Sequence, residues 1–123
     1  MTCIYILVYI LIMKTLPMQM MLFAIAEPNR FNIVELLKNR PRSVGEIVEE
    51  LHIGQPQVSR HLRILSEAGL VVVQNKGQQR IYSLEAKPFQ ELDAWFDSFS
   101  LLWEERLDQF EDYMLDIYRK EEQ

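Results

Sequence analysis

The chain has 123 residues, 49% hydrophobic and 25% charged, the size and balance of one small globular domain with a single core rather than two. Thirteen Lys and Arg against eighteen Asp and Glu give a net charge of −5, which as an average argues against a nucleic-acid partner and for a cytoplasmic protein. One cysteine, Cys3, excludes a disulfide scaffold and a structural zinc finger, and two histidines narrow the remaining metal chemistry.

The stretch up to Ala26 carries a single charge, Lys14, and opens with the apolar run Ile4 to Met13. A secretory signal has positive charge before such a run and a small-residue cleavage site after it. Here the charge follows, and Leu16-Pro17-Met18 comes next. As a helix, Met1 to Met13 would be roughly 20 Å long against a hydrocarbon core of ~30 Å, and Pro17 is expected to interrupt any extension to Ala26. No stable membrane insertion is therefore expected. Two readings stay open for residues 1–17: an apolar helix at a subunit interface, or a stretch upstream of a natural start at Met13, Met18, Met20 or Met21.

Ala26-Glu27-Pro28-Asn29 closes one apolar helix and opens a second. Its stripe is Phe31, Val34 and Leu37, widened by Ile33 and Leu36, and it should end near Asn39 to Pro41. Ser43-Val44-Gly45-Glu46 is a capping box, with the Ser43 hydroxyl placed to accept from the Glu46 amide, and the face Val44, Ile47, Val48, Leu51 of a short third helix follows. His52-Ile53-Gly54-Gln55 supplies a tight turn. Pro56 suits the first position of a fourth helix, over 55–68, whose inward face reads Val58, His61, Leu62, Leu65. Two short helices joined by a glycine-containing turn make a helix-turn-helix. His61, inside this apolar stripe, reads as a packed, hydrogen-bonded structural residue.

The outward face of the fourth helix presents Gln57, Ser59, Arg60 and Arg63, with Gln55 at its beginning. Arg can bond guanine at two atoms, Gln can do the same with adenine, and a Ser hydroxyl suits a base or a phosphate. A plain solvated face is the alternative. After Gly69, Leu70 to Val73 and Arg80 to Leu84 are β-branched or aromatic runs separated by residues 74–79, a hairpin in which Gly77 can take positive φ. Lys76 near its tip and Arg80 on the return strand put two cations where a hairpin beside a reading helix would meet the DNA backbone or minor groove. The fold class is mainly α with a small β-hairpin, a winged helix-turn-helix.

Charge distribution then reverses the impression left by the total. Residues 28–83 hold eight basic and five acidic side chains, a net of +3, while residues 84–123 hold four and twelve, a net of −8. From Gln55 to Ser83, Arg60, Arg63, Lys76 and Arg80 face Glu67 alone.

The C-terminal stretch carries the series Phe89, Leu92, Phe96, Phe99, Trp103, Leu107, Phe110, Met114, Ile117, in steps of three and four. This predicts one continuous helix starting at Pro88, ~50 Å long at ~1.5 Å per residue, with Trp95, Leu102 and Tyr113 broadening the stripe. Two readings compete: an intrachain core, or a dimer interface shared with the N-terminal apolar helix. The length of the face favours the interface, with Phe89, Leu92, Phe96, Phe99, Trp103, Leu107, Phe110 and Met114 in it and the aromatics available to line a small effector cavity. The organisation expected is an apolar extension over 1–17, a DNA-binding domain over 18–84 and a long dimerisation helix over 85–123.

Three segments together carry a specific resemblance: Glu27-Pro28-Asn29-Arg30-Phe31, the run from Gln55-Pro56-Gln57-Val58-Ser59-Arg60-His61-Leu62 to Glu67-Ala68-Gly69-Leu70-Val71, and Arg80-Ile81-Tyr82-Ser83-Leu84. Over roughly residues 20–115 the chain resembles the ArsR/SmtB family of winged-helix transcriptional repressors. That resemblance implies a homodimeric repressor whose reading helices enter successive major grooves of a palindromic double-stranded operator, with the wing over 74–80 beside them. It also marks departures. The family's Cys-Val-Cys metal motif is replaced by Ser43, Val44 and Gly45, and the Asp, His and Glu ligand set of its last helix fails because no histidine follows His61. No metal or cofactor is expected, and a small-molecule effector stays unidentified. Carboxylates of the last helix remain available to a hard cation. No phosphate-cradling glycine loop and no paired Cys and His occur, so an enzyme is not expected. The rival is a winged-helix module that binds protein and not DNA.

Overall fold

The computed structural model describes residues 2–122, the side chains of residues 12–16 aside. Its elements are α1 (Thr2–Ile25), α2 (Pro28–Asn39), β1 (Arg42–Ser43), α3 (Val44–Leu51), α4 (Gln55–Glu67), β2 (Val71–Lys76), β3 (Gln79–Leu84), α5 (Ala86–Asp97) and α6 (Ser100–Glu122). They fall into two units, Met1–Phe89 and Gln90–Gln123.

In the first unit α1 runs through Pro17, where the sequence predicts an interruption. A proline removes one helical donor, and burial of Met21 and Ala24 holds the turns that follow it. Ile4 to Leu11 stay exposed. Glu27 caps α2 by accepting from the Arg30 amide at 2.8 Å, and Pro28 fills the first helical position as its locked φ favours. The buried stripe of α2 is Arg30, Ile33, Val34 and Leu37, whereas Phe31, expected on that stripe, is 51% exposed. The helix is rolled so that an arginine takes the place foreseen for the phenylalanine, and the hydrogen bonds of that arginine explain why.

The capping box at Ser43 is formed in both directions. Ser43 Oγ accepts from the Glu46 amide and Glu46 accepts from the Ser43 amide, each at 3.2 Å. The Ser43 amide, followed by the Arg40 guanidinium 2.8 Å away, holds the Glu46 carboxyl below its ordinary value. Ser43 also belongs to β1, a strand with no period-2 signature of its own, which pairs antiparallel with β3 through Arg42↔Tyr82 and Ser43↔Ile81. The turn into α4 puts its left-handed residue at His52, φ +56°, while Gly54 is extended and caps α4 without a side chain.

α4 ends in a Schellman arrangement. Gly69, at φ +78°, donates to the Ser66 carbonyl, and Leu70 donates to the Leu65 carbonyl, both at 3.0 Å. β2 and β3 extend further toward each other than the 74–79 loop foreseen. Lys76 pairs with Gln79, leaving the two-residue turn Gly77-Gln78 with positive φ at Gly77, as a type II′ turn requires. The sheet order is β1-β3-β2. The core of this unit gathers Ile33, Ile47, Val58, Leu62, Leu65 and Leu70, all fully buried, beneath α3 and α4.

In the second unit the expected single helix is two. The Ser98 hydroxyl donates to the Trp95 carbonyl at 2.5 Å, and the Phe99 amide goes to Phe96 instead of Trp95, so the chain tightens and restarts at Ser100. Trp95 meets the rings of Phe96 and Phe99 edge-on at 5.0 and 5.2 Å around this break. Leu92 is buried and Phe99 half-buried, but α6 buries no residue: Trp103 is 52% exposed, and Leu107, Phe110 and Met114 are exposed with it.

Candidate nucleic-acid interface

The direction of every polar group on α4 follows from what its other side buries. Val58, Leu62 and Leu65 are sealed in the core with His61, and at ~100° per residue this turns Gln57, Ser59, Arg60 and Arg63 outward. All four are exposed, as is Gln55. Arg63 lies 3.4 Å from Glu67, one turn on, an exposed pair of the kind that contributes at most ~1 kcal/mol. Among the described residues no carboxylate pairs with Arg60.

The hairpin faces that surface. Arg80 stands on β3 with its guanidinium 6.0 Å from the Tyr82 ring centre, and Lys76 is exposed beside the turn. Between α4 and the hairpin lies an open groove of about 790 Å³, whose walls include Gln55, Ser59, Arg60 and Arg63 from α4 and Arg80 from the wing. Five of the seven residues singled out in the sequence therefore meet in one concavity. Gln57 and Lys76 are exposed outside it. The groove is also lined by Val44, Pro56, Ser66, Val73 and Tyr82, none of which the sequence marks as a DNA contact. Tyr82 was reachable, because alternation along a strand puts it on the face of Arg80 two residues earlier. Among the described residues no Asp or Glu lines the groove, so the three arginines in its walls set a positive potential within an acidic chain.

Beneath α4 sits a polar junction. Arg30, 7% exposed, donates from Nε to the Ala24 carbonyl at 2.6 Å, and its Nη1 reaches His61 Nδ1 at 3.4 Å. Glu27 Oε2 is 3.8 Å from the same ring nitrogen. His61 is thus packed and hydrogen-bonded, and Arg30 is a partner that nothing local in the sequence announces. A second, shallower groove of about 400 Å³ lies between α1 and α4, lined by Met20, Phe23, Ala24, Ile64 and Ala68 with Gln19 and Glu67. Among the described residues no three His, Cys, Asp or Glu side chains gather as a metal site needs, and no helix is long and apolar enough to cross a membrane.

Comparison with known proteins bears on the same segment. Residues 27–73 match the family described as bacterial regulatory protein, arsR family. The transcriptional repressor SdpR of Bacillus subtilis is 37% identical over 76 residues, covering 62% of this chain and 84% of that protein. The repressor SmtB of Mycobacterium tuberculosis is 44% identical over 64 residues, 52% of this chain; the match spans 47% of that relative's length. Among solved structures, an ArsR family transcriptional regulator superposes with a TM-score of 0.65 at 25% identity, over 72% of this chain and 97% of the other.

Proposed function

The chain belongs to the arsR family of bacterial regulatory proteins, DNA-binding transcriptional regulators, and on that premise we propose that it is a homodimeric repressor of a palindromic operator. α4 enters the major groove, where Gln55, Gln57, Ser59, Arg60 and Arg63 meet base edges and phosphates. The wing residues Lys76 and Arg80 lie along the backbone or minor groove. The observation that carries the reading is the groove shared by α4 and the hairpin, which among the described residues is lined by three arginines and no carboxylate. Phosphate neutralisation needs such a surface, and the strong acidity of residues 84–123 does not oppose it because those charges are carried elsewhere in the sequence.

Dimerisation through the terminal helices belongs to the proposal. Its support is the exposure of Phe96, Trp103, Leu107, Phe110 and Met114 on α5 and α6 and of Ile4 to Leu11 on α1, more apolar surface than a small monomer leaves in water. Two reading helices set by such a dimer would stand ~34 Å apart and require an inverted repeat with one helical turn between half-site centres. Cytoplasmic location and release by a small-molecule effector complete the reading. The test is selection of duplexes by the purified protein from a random pool and from its own promoter, followed by binding at two salt concentrations. Enrichment of an inverted repeat, with affinity that falls as salt rises, is expected. Enrichment of no duplex would sink the repressor and favour a protein-binding module.

A further inference from the structure

Among the described residues with buried polar side chains, Arg30 and His61 are joined across 31 positions of sequence, and neither lies in the proposed DNA-contacting set. Arg30 is anchored first to α1. The Ala24 carbonyl, in the last turn and without a helical donor, accepts from Arg30 Nε at 2.6 Å, and the guanidinium lies 5.7 Å from the Phe23 ring centre. Its other end points at α4. A guanidinium has donors only, so in the 3.4 Å contact Arg30 Nη1 is the donor and His61 Nδ1 the group it meets. Glu27, whose Oε2 caps α2, supplies the balancing charge 3.8 Å from the same nitrogen.

We propose that Arg30 and His61 are positioning residues for DNA reading: together they set the roll of α4 about its own axis, and so the direction in which Ser59, Arg60 and Arg63 leave it. This rests on α4 being the reading helix. The apolar stripe Val58, Leu62, Leu65 fixes which face of α4 turns inward, but burial of hydrocarbon is not itself directional, so the finer setting of the roll is left to directional contacts. A hydrogen bond to a charged donor does have one. The precision at stake is small. A roll of about 20° carries a side-chain end at a radius of ~6 Å through ~2 Å, enough to break a base contact whose working range is ~2.7–3.2 Å. Phosphate attraction, being long-ranged, survives such a shift. The junction therefore governs discrimination between sequences and leaves general DNA affinity alone. It also refers the reading face to the end of α1, the helix proposed to take part in dimerisation.

The test uses the full-length protein, the duplex that the wild type enriches from a random pool, and a scrambled duplex of the same composition. His61→Leu is expected to lower the ratio of selected to scrambled affinity at least tenfold, with scrambled affinity within twofold of wild type. His61→Asn, whose amide oxygen can stand in for Nδ1, should keep the ratio within threefold. Because His61→Leu alone strands the Arg30 donor, the deciding variant is Arg30→Met/His61→Leu, which replaces both partners with apolar groups and is expected to fold. Its ratio should fall as far as that of His61→Leu alone. A folded double variant with wild-type ratio would overturn the proposal, as would selected and scrambled affinities falling together. Enrichment of no duplex by the wild type would instead remove the repressor reading and this inference with it.

Discussion

The winged region and the C-terminal helices use the same pattern, an apolar residue every three or four positions, to opposite effect. In α4 the stripe Val58, His61, Leu62, Leu65 is sealed in the core, and Arg30 beneath it finds partners within the unit. In α6 the stripe Trp103, Leu107, Phe110, Met114 is exposed along its length. A periodic stripe announces that one face will be covered; what covers it is a separate matter. The winged region is completed by its own chain, whereas α6 displays a face that, on the proposed reading, only a second copy completes.

The sharpest way to break this contrast is to charge the uncovered face. Trp103→Asp is expected to convert a dimer to monomers in sedimentation, because an unpaired charge in an apolar interface costs several kcal/mol. Operator affinity should then fall roughly 100-fold or more as one half-site no longer recruits the other. A wild type that sediments as a monomer at micromolar concentration while binding an operator would remove the interface and the palindrome together.

Charge removal on the self-completed side should act on DNA and not on assembly. Arg60→Ala and Arg63→Ala are each expected to lose ~1–3 kcal/mol of discrimination at one base position, with stability changed by less than ~0.5 kcal/mol. Both side chains are exposed, so thermal unfolding of either variant at ordinary temperature would show the reading face to be misassigned.

Within the winged region, His52 holds a left-handed conformation that glycine adopts without steric cost. His52→Gly should therefore raise stability by ~1 kcal/mol in urea titration, with dimerisation unchanged. Lys76→Ala should weaken binding to many sequences alike and lower the slope of log affinity against log salt by ~0.9 for each phosphate that the wing no longer neutralises. An unaltered slope removes the wing from the interface.

The smallest expected effect tests the capping box. The Glu46 carboxyl titrates below its ordinary value chiefly because the Ser43 amide donates to it, with Arg40 adding to the effect. Its stabilising contribution is therefore fully present above the ordinary carboxyl pKa of ~4.3 and is lost as pH falls through the lowered value. Glu46→Gln should flatten that part of the acid-unfolding profile. An unchanged profile would show the reciprocal bond to be weak in solution.

Much of the winged region was legible in advance because its signals are local. The capping box, Pro28 and Pro56 at helix starts, Gly69 closing α4 and Gly77 in the hairpin turn each depend on a few neighbouring residues. The break after Asp97 was missed although its cause is also local. Ser98 diverts the Trp95 carbonyl over three residues, and the resulting turn preserves the spacing of aromatics that made the stretch look continuous. Five of the seven candidate reading residues meet in one groove, and Tyr82 beside them follows from the alternation of β3, two residues after Arg80.

By itself, then, the sequence determined the helices and hairpin of the winged region, the inward face of α4 and the concentration of positive charge over residues 55–83, because each is set by interactions within a turn or two of chain. Tertiary structure alone decided the pairing of β1 with β3, the roll of α2 that buries Arg30 and exposes Phe31, and the contact of that arginine with His61. Those depend on how one element packs on another. A buried arginine is tolerated only where partners gather around it: Ala24 and Glu27 lie a few residues before Arg30, but His61 comes from 31 residues further on, and no short window of sequence contains them all.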